Sequence, residues 1–270
     1  MRGKTLADFV KIEKGLGVEG RVALVTFDRG DGINALSPDA MRQLTAAAES
    51  FEDDAATSVV VLTGAKTFSA GADLKANRDR GAMDLGTLRR HLRLGPRLTR
   101  AWYEMEQVTI AAIEGFCIGG GIALAVACDF RIMAREAHIR VPEIGLGMNM
   151  SWQSVPRMLQ LIGPARTKQA VILADQRIAA AEAYDWGLVE QVTEPGASLE
   201  AAMQFADKFA AQPPIPSAMT KLTVNRLAGA LDDLASHMDL DQFALAGIGE
   251  DAKEGVAAFL QKRKPRFKGS

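Results

Sequence analysis

Two stretches of the chain share one pattern, VVVLTGAKTFSAGADL at Val59–Leu74 and TIAAIEGFCIGGGIAL at Thr109–Leu124. Each begins with a continuous apolar run, which is typical of a strand that is buried on both faces of a sheet. Each then passes through a glycine, a short apolar segment and a second glycine before a predicted helix. The sequence therefore uses one supersecondary unit twice, and this repetition favours an α/β fold.

The glycine-rich loops of both units lead directly into helix starts. The first backbone N–H groups of a helix lack partners within the helix, and the helix dipole favours negative charge at that end. Two such loops that face each other are able to hold one developing oxyanion.

The segments around the repeat fit the same fold class. Val22–Phe27 has the pattern of a strand, and Ser37-Pro38-Asp39 supplies a helix start, with Ser37 as the cap and Pro38 at the first helical position. From about residue 195 the sequence becomes rich in Ala, Leu and Met, which predicts helices. We therefore divide the chain into a core over residues 1–195 and a helical region over residues 196–270, with predicted helices at Leu199–Ala211, Ser217–Ala230 and Leu231–Gly247.

The composition excludes several classes of protein. The chain has 270 residues, 32 Lys plus Arg and 33 Asp plus Glu, so its formal net charge of −1 argues against a strongly basic nucleic-acid binder. No apolar run approaches the roughly 20 residues that a membrane-spanning helix needs, and the N-terminus lacks the apolar segment of a secretory signal. We therefore expect a cytoplasmic protein without nucleic-acid or membrane partners.

Common cofactor and metal motifs are missing or misplaced. Gly15-x-Gly17-x-x-Gly20 precedes the first predicted strand, whereas a dinucleotide fingerprint joins a strand to a helix. The three histidines have no spacing that suggests a catalytic triad or a metal cluster, and each is interpreted as structural or exposed. Cys117 and Cys128 lie in apolar surroundings without a CxxC partner, which predicts buried, reduced thiols and no metal site.

The segments Phe68–Leu74 and Gly115–Gly121 resemble the two signature loops of the crotonase, or enoyl-CoA hydratase/isomerase, superfamily. The resemblance covers nearly the whole chain and implies a crotonase-like spiral of repeated ββα units with a C-terminal helical trimerisation region. It also implies acyl-CoA substrates, a homotrimer or a hexamer built as a dimer of trimers, and no cofactor apart from the coenzyme A of the substrate. Further matching segments follow in compatible order: Ala127–Arg131, Val141–Gly147, Ala183–Val189 and Ala258–Pro265.

The resemblance assigns binding of the thioester oxygen to two backbone N–H groups, which fall here on Ala72 and Gly120. Removal of a proton next to a thioester, or addition of a nucleophile at the β-carbon, places negative charge on that oxygen. Backbone donors in a dry pocket stabilise such an enolate, and the loss of one costs on the order of 10² to 10³ in rate. Ala72 and Gly120 are thus predicted to be catalytic.

Glu143 is the predicted acid–base residue. It follows Pro142 in an apolar stretch, where desolvation raises the pKa of a carboxyl, and it matches a catalytic glutamate of the family. Hydratases of this family carry a second glutamate three residues after the oxyanion glycine, and that position is Ala123 here. A single carboxylate favours proton transfer between two carbons, which isomerises a 3-enoyl to a 2-enoyl thioester. Two alternatives stay open, an enoyl-CoA hydratase and a non-catalytic subunit that binds acyl-CoA. Ser151 and Trp152 are predicted near the acyl pocket, without a catalytic role.

Coenzyme A is large and anionic, so basic residues are expected near its site. Lys66 precedes the first loop. In the family, a Phe and a Lys reach the coenzyme A of a neighbouring subunit, and the resemblance assigns these contacts to Phe259 and Lys262. The other residues predicted to bind substrate adjoin the catalytic positions: Ala70, Asp73, Leu74, Gly119 and Pro142.

The segment Arg78–Arg100 contains seven arginines, and Arg89, Arg93 and Arg97 share one predicted helix face. We interpret the segment as a solvated amphipathic helix over the acyl pocket. Contact with the phosphates of coenzyme A is the second interpretation, and RNA binding is the third.

Overall fold

The computed structural model describes residues 8–74 and 83–270. Its strands are β1 (Val10–Leu16), β2 (Val22–Phe27), β3 (Val59–Gly64), β4 (Val108–Ile113), β5 (Phe116–Ile118), β6 (Phe130–Ala134), β7 (His138–Arg140), β8 (Ile178–Ala179) and β9 (Gln191–Thr193). One sheet has the order β1-β2-β3-β4-β6-β9, and a smaller sheet has the order β5-β7-β8. In the larger sheet β1 runs antiparallel to β2, and all other neighbours are parallel.

The helices alternate with strands as far as β9 and then follow one another without a further strand, so the predicted helical C-terminal region is confirmed. Within the described ranges, no helix combines the length and the apolar character that crossing a membrane requires. The helices are α1 (Pro38–Glu49), α2 (Leu85–Leu92), α3 (Leu94–Glu104), α4 (Gly120–Ala125), α5 (Ser154–Ile172), α6 (Ala180–Trp186), α7 (Ser198–Ala210), α8 (Pro214–Ala228), α9 (Asp232–Ser236), α10 (Asp239–Ile248) and α11 (Glu250–Leu260).

Successive units place one strand in each sheet, so the spiral of ββα units is confirmed. β4 is followed by β5 and α4, and β6 is followed by β7, which pairs in parallel with β5. β3 is followed by Ser69, which forms an isolated bridge with Cys117 of β5. The two predicted repeats therefore meet side by side. The helix predicted directly after Leu74 lies outside the described residues.

β3 and β4 are buried along their whole length, as their continuous apolar runs predict. Val60 and Leu62 join the core on the side of α1, whereas Val59 and Val61 join a second core with Ala206 and other small residues of α7. The sheet is thus covered on both faces. The domain boundary between residues 195 and 196 stays a prediction, although α7 packs on the sheet of the core.

The start of α1 has the predicted cap. Ser37 Oγ accepts a hydrogen bond from the Ala40 N–H at 3.2 Å, and Pro38 is the first helical residue. Cys117 and Cys128 are buried free thiols, also as predicted.

The predicted position of Gly15-x-Gly17-x-x-Gly20 is wrong. The motif begins inside a strand, β1, which includes Gly15, and Gly17 and Gly20 lie at the turn between the antiparallel strands β1 and β2. β1 is a half-exposed edge strand, and its sequence VKIEKGL lacks the apolar run that reveals a buried strand. Because the turn leads into a strand and not into a helix, it does not have the context of a dinucleotide fingerprint.

The single helix predicted over Leu231–Gly247 is also wrong, because the structure has α9 and α10 with a break at His237 and Met238. The carboxylate of Asp239, the first residue of α10, accepts a hydrogen bond from the Gln153 backbone N–H at 3.1 Å. This contact ties the start of α10 to the loop before α5, and it gives a physical reason for the break.

The arginine-rich segment, predicted as one amphipathic helix, forms α2 and α3, which meet at Arg93. Arg78 and Arg80 lie outside the described residues. Leu92 and Gly95 line the cavity described below, so the two helices border the predicted site.

Candidate active site

A cavity of 220 Å³ lies where the two glycine-rich loops meet α2, α3 and α10. Most of its lining is apolar. Ten of the residues predicted from the sequence line it: Ala70, Ala72, Leu74, Gly119, Gly120, Pro142, Glu143, Ser151, Trp152 and Phe259. The structure thus brings all three predicted catalytic residues together.

The first loop holds Ala72 in a fixed orientation. The Leu36 N–H donates to the Gly71 carbonyl at 2.7 Å, and the Asp73 N–H donates to the Leu36 carbonyl at 3.2 Å. In such a parallel bridge the residue between the two contacts turns its own N–H away from the partner strand. The Ala72 N–H donates no hydrogen bond to any described residue, so it is free for a ligand.

The second loop is fixed by its neighbours on both sides. The Ile118 N–H donates to the Ser69 carbonyl at 2.9 Å, and the Gly119 N–H donates to the Arg140 carbonyl at 2.9 Å. Gly119 has φ 53°, a left-handed conformation that favours glycine, and Gly120 then begins α4. Like Ala72, Gly120 has a backbone N–H that no described residue accepts.

The two loops approach each other closely. A Cβ placed on Gly71 would lie 2.9 Å from the Gly120 nitrogen, so any side chain at residue 71 would separate the loops. The residue after Gly71 is Ala72. The geometry therefore places two unpaired backbone N–H groups at one edge of the cavity, which is the arrangement that holds an oxyanion.

The carboxyl of Glu143 lies beside the second loop. A Cβ on Gly119 would lie 2.6 Å from Glu143 Oε1, and Oε2 is buried without a hydrogen-bond partner among the described residues. Burial raises the pKa of Glu143 to about 7, against the lowering effects of a hydrogen bond from its own backbone and of the Arg140 charge. A carboxyl with this pKa is able to take up and release a proton near neutral pH.

The raised pKa of Glu143 makes the free energy of unfolding depend on pH. The usual value is 4.5 and the folded value is about 7, so between these pH values the folded state binds more protons than the unfolded state. The free energy of unfolding therefore decreases as the pH rises through this window, by at most about 3 kcal/mol. Denaturant unfolding at pH 5 and pH 8 should show this decrease in the wild type and a smaller one in Glu143→Gln. Identical pH dependence in the two proteins would contradict the burial of an ionisable carboxyl.

Among the described residues, no second carboxyl faces Glu143 across the cavity. Among the lining residues that the structure describes, Glu143 is the only Asp or Glu. Ala123 lies one turn after Gly120 on α4 and is fully buried, and it does not line the cavity. No other described segment therefore supplies the second carboxyl that the hydratase pattern places at the position of Ala123.

Trp152 forms one wall of the cavity in a strained conformation. A Cβ on Gly120 would lie 2.5 Å from Trp152 Cζ3, and a Cβ on Gly95 would overlap the other edge of the indole. Trp152 and Gln153 have φ values of 63° and 58°, and this left-handed conformation costs roughly 1–2 kcal/mol for each non-glycine residue. The ring thus occupies a slot between α3 and α4.

The side chains of Thr99 and Asp239 hold this strained pair in place. Thr99 Oγ1 donates to the Trp152 carbonyl at 2.9 Å, and the Asp239 carboxylate accepts the backbone N–H groups of Gln153 and Trp152. Burial raises the pKa of Asp239 to about 6, and these two hydrogen bonds oppose that effect. Side chains from α3 and α10 therefore fix the backbone from which the indole projects.

Gly95→Ala is expected to destabilise the protein by about 1–3 kcal/mol, because the new methyl group overlaps the Trp152 ring in a packed slot. Gly86→Ala in α2 is the matched control, since a Cβ there would meet its nearest neighbour, Asp84 Oδ1, at 3.2 Å. Thermal or denaturant unfolding measures both effects. Equal stability of the two variants would contradict the close packing of the Trp152 ring against Gly95.

Several lining residues were not predicted as site residues. Met41, Met148 and Met150 add to the apolar wall, and Leu240 and Phe243 reach the cavity from α10. The α10 residues have no local signal in the sequence because they come from the far end of the chain. His91, interpreted as structural or exposed, also lines the cavity.

Three residues predicted to bind coenzyme A are not among the lining residues. Lys66 and Lys262 are exposed, and Asp73 forms an ion pair with Arg29 at 2.8 Å. Their contacts with coenzyme A stay predictions.

A ββα spiral in which two glycine-rich loops meet at an apolar cavity, beside a buried carboxyl, defines an enzyme of the crotonase type. Comparison with known proteins gives the same result. A family model described as enoyl-CoA hydratase/isomerase matches residues 17–270. The chain belongs to this family, and it is an enzyme of acyl-CoA chemistry.

The matches with similar proteins cover more than nine tenths of this chain and of each relative. Crotonyl-CoA hydratase of Syntrophomonas wolfei is 34% identical over 251 residues, which cover 92% of this chain and 95% of that protein. Short-chain-enoyl-CoA hydratase of Clostridium acetobutylicum is 34% identical over 248 residues, which cover 91% and 94%. A crystal structure of carnitinyl-CoA hydratase from Mycobacterium avium has a TM-score of 0.84 at 30% identity and covers 97% of this chain and 99% of that one.

Proposed function

We propose that this enzyme isomerises 3-enoyl-CoA to 2-enoyl-CoA with Glu143 as its only acid–base residue. Glu143 takes a proton from C2 of the acyl chain, and the electrons of that C–H bond form a dienolate. The same carboxyl then returns the proton to C4, so the double bond moves from C3–C4 to C2–C3. No water is consumed, and no cofactor is needed apart from the coenzyme A that the substrate carries.

The observation that carries this proposal is the single carboxyl among the cavity-lining residues that the structure describes. Family hydratases hold and activate the water with two carboxylates, and the described lining offers one carboxyl, that of Glu143. Transfer of one proton between two carbons requires one carboxyl near its pKa, which is about 7 here. The N–H groups of Ala72 and Gly120 would hold the thioester oxygen while it carries the charge of the dienolate.

Hydration of a 2-enoyl-CoA is the second candidate, and the comparisons favour it. The two relatives at 34% identity are named as hydratases of crotonyl-CoA and of short-chain enoyl-CoA. In that reaction the hydroxyl of water joins C3 and a proton joins C2, and Glu143 would have to serve both steps. A non-catalytic subunit that binds acyl-CoA is the third candidate, and the combination of both loops with a buried Glu143 argues against it.

Incubation of the enzyme in deuterium oxide, with 3-enoyl-CoA and 2-enoyl-CoA offered separately, tests the three candidates. Liquid chromatography, which separates the two isomers of equal mass, combined with mass spectrometry should show conversion of 3-enoyl-CoA to 2-enoyl-CoA with no gain of water. If 3-hydroxyacyl-CoA is the main product, the enzyme is a hydratase. If a thioester binds without any conversion, the chain is a binding subunit.

The C-terminal helices support the proposal of a homotrimer or a dimer of trimers. They carry large apolar side chains that are more than half exposed in the single chain, and burial of such side chains favours association. Phe259 both lines the cavity and is 53% exposed, which fits a residue near a shared coenzyme A site. The exposed apolar residues are Ile215, Met219, Val224, Leu227, Leu231, Leu234, Leu245 and Ile248.

A further inference from the structure

We infer that Trp152 keeps water away from the reacting carbons and thereby selects isomerisation over hydration, and that Asp239 positions it. The inference rests on the proposed function, because it explains how a dienolate returns its proton to carbon without competition from water. Trp152 acts here as a specificity-determining residue, and Asp239 acts only through it.

The indole forms the wall of the cavity beside Gly120. Its Cζ3 and Cη2 atoms would lie 2.5 Å and 2.7 Å from a Cβ on Gly120, so the ring packs directly on the oxyanion glycine. Ala123, where hydratases of the family carry the second glutamate, is one turn further along α4 and fully buried. The cavity wall beside Gly120 is therefore aromatic, and Ala123 supplies no carboxylate.

The reacting carbons would lie within reach of this ring. A thioester oxygen bound to the Gly120 N–H stands about 2.9 Å from its nitrogen, and C3 of the acyl chain is three bonds of about 1.2–1.5 Å from the carbonyl oxygen. A bound water needs two to four polar partners. Trp152, together with Met148 and Met150, provides an apolar surface without such partners. The polar side chains of the described lining come from other positions: His91, Arg140, Glu143 and Ser151.

The ring can only stay in its slot if the left-handed conformation of Trp152 and Gln153 is maintained. Asp239 accepts the Gln153 N–H at 3.1 Å and also the Trp152 N–H, so one carboxylate stabilises both strained residues. Asp239 does not line the cavity. Its influence on the reaction would therefore pass through the position of the indole.

The ratio of hydrated to isomerised product measures the exclusion of water. The full-length wild type and variants are incubated with 3-enoyl-CoA in water labelled with oxygen-18. Liquid chromatography separates 2-enoyl-CoA from the substrate, which has the same mass, and mass spectrometry compares it with labelled 3-hydroxyacyl-CoA. Trp152→Ala should raise this ratio by about tenfold or more, because it opens the wall to water. Trp152→Phe should raise it less. Trp186→Ala, which removes an indole outside the cavity, should leave it unchanged.

Asp239 is tested with the same ratio. Asp239→Ala should shift the ratio in the same direction as Trp152→Ala, whereas Asp239→Asn, which keeps an oxygen acceptor, should stay close to the wild type. A purely structural role would lower the unfolding temperature without moving the ratio. That outcome would overturn the positioning role.

An unchanged ratio in folded Trp152→Ala would overturn the inference about Trp152. Should Trp152→Ala fail to fold, Trp152→Phe and Asp239→Ala decide in its place, and unchanged ratios in both would overturn the inference. If the wild type itself forms mainly 3-hydroxyacyl-CoA, the proposed function has failed, whatever the variants do. The wild-type arm therefore tests the reaction, and the variant arms test the residues.

Discussion

Glu143→Gln is expected to convert an enoyl-CoA about 10³-fold more slowly than the wild type, with substrate affinity nearly unchanged. The amide has the shape of the carboxyl but cannot take a proton from carbon. The wild-type kcat/KM should rise as the pH increases through about 7, because Glu143 must be ionised to accept the proton of C2. The residual rate of the variant should lack this inflection.

Steady-state kinetics from pH 5 to pH 9 and titration with a thioester measure these effects. Glu136→Gln is the matched control, since Glu136 is exposed and does not line the cavity. It should keep the wild-type rate and pH profile. A Glu143→Gln enzyme with more than a tenth of the wild-type turnover would remove Glu143 from the mechanism.

Gly120→Pro should be slower than Gly120→Ala by about 10² to 10³, because only proline deletes the backbone N–H that binds the thioester oxygen. Both substitutions place a Cβ 2.5 Å from Trp152 Cζ3, so both disturb the packing of the indole. Proline suits the first position of a helix, which is where Gly120 lies. The difference between the two variants therefore reports the loss of the N–H donor, together with the proline ring atom that takes its place.

The measurement is kcat/KM for both variants, with unfolding temperatures as a check that they fold equally well. A parallel comparison of thioester binding separates loss of affinity from loss of turnover. Equal rates in two equally stable variants would show that the Gly120 N–H does not stabilise the transition state.

Features with local causes could be predicted from the sequence. The cap of α1 depends on Ser37 and its next three residues, and the burial of β3 is encoded in its own apolar run. The site could be located because the two glycine-rich loops and the segment after Pro142 resemble those of the crotonase family, and the resemblance assigned roles to Ala72, Gly120 and Glu143. The cap and the strand depend on neighbours in sequence, whereas the site was recognised through its motifs.

Features that depend on distant partners were missed. β1 is a polar edge strand, recognisable only through its pairing with β2. The break between α9 and α10 and the left-handed conformation at Trp152 share one cause, the hydrogen bonds of Asp239 across 86 residues. The contribution of α10 to the cavity follows from the same contact. No periodicity or propensity in a local window carries this information.

The order of elements along the chain has a consequence for synthesis on the ribosome. α7 comes after every strand of both sheets, yet it covers one face of the larger sheet. While the nascent chain ends between β9 and α7, the apolar residues on that face, among them Val59, Val61 and Ile110, have no covering helix. Chaperones that recognise exposed apolar surface can therefore bind this face during a defined interval of synthesis. The interval ends when Ala210, the last residue of α7, has left the exit tunnel and α7 can cover the sheet.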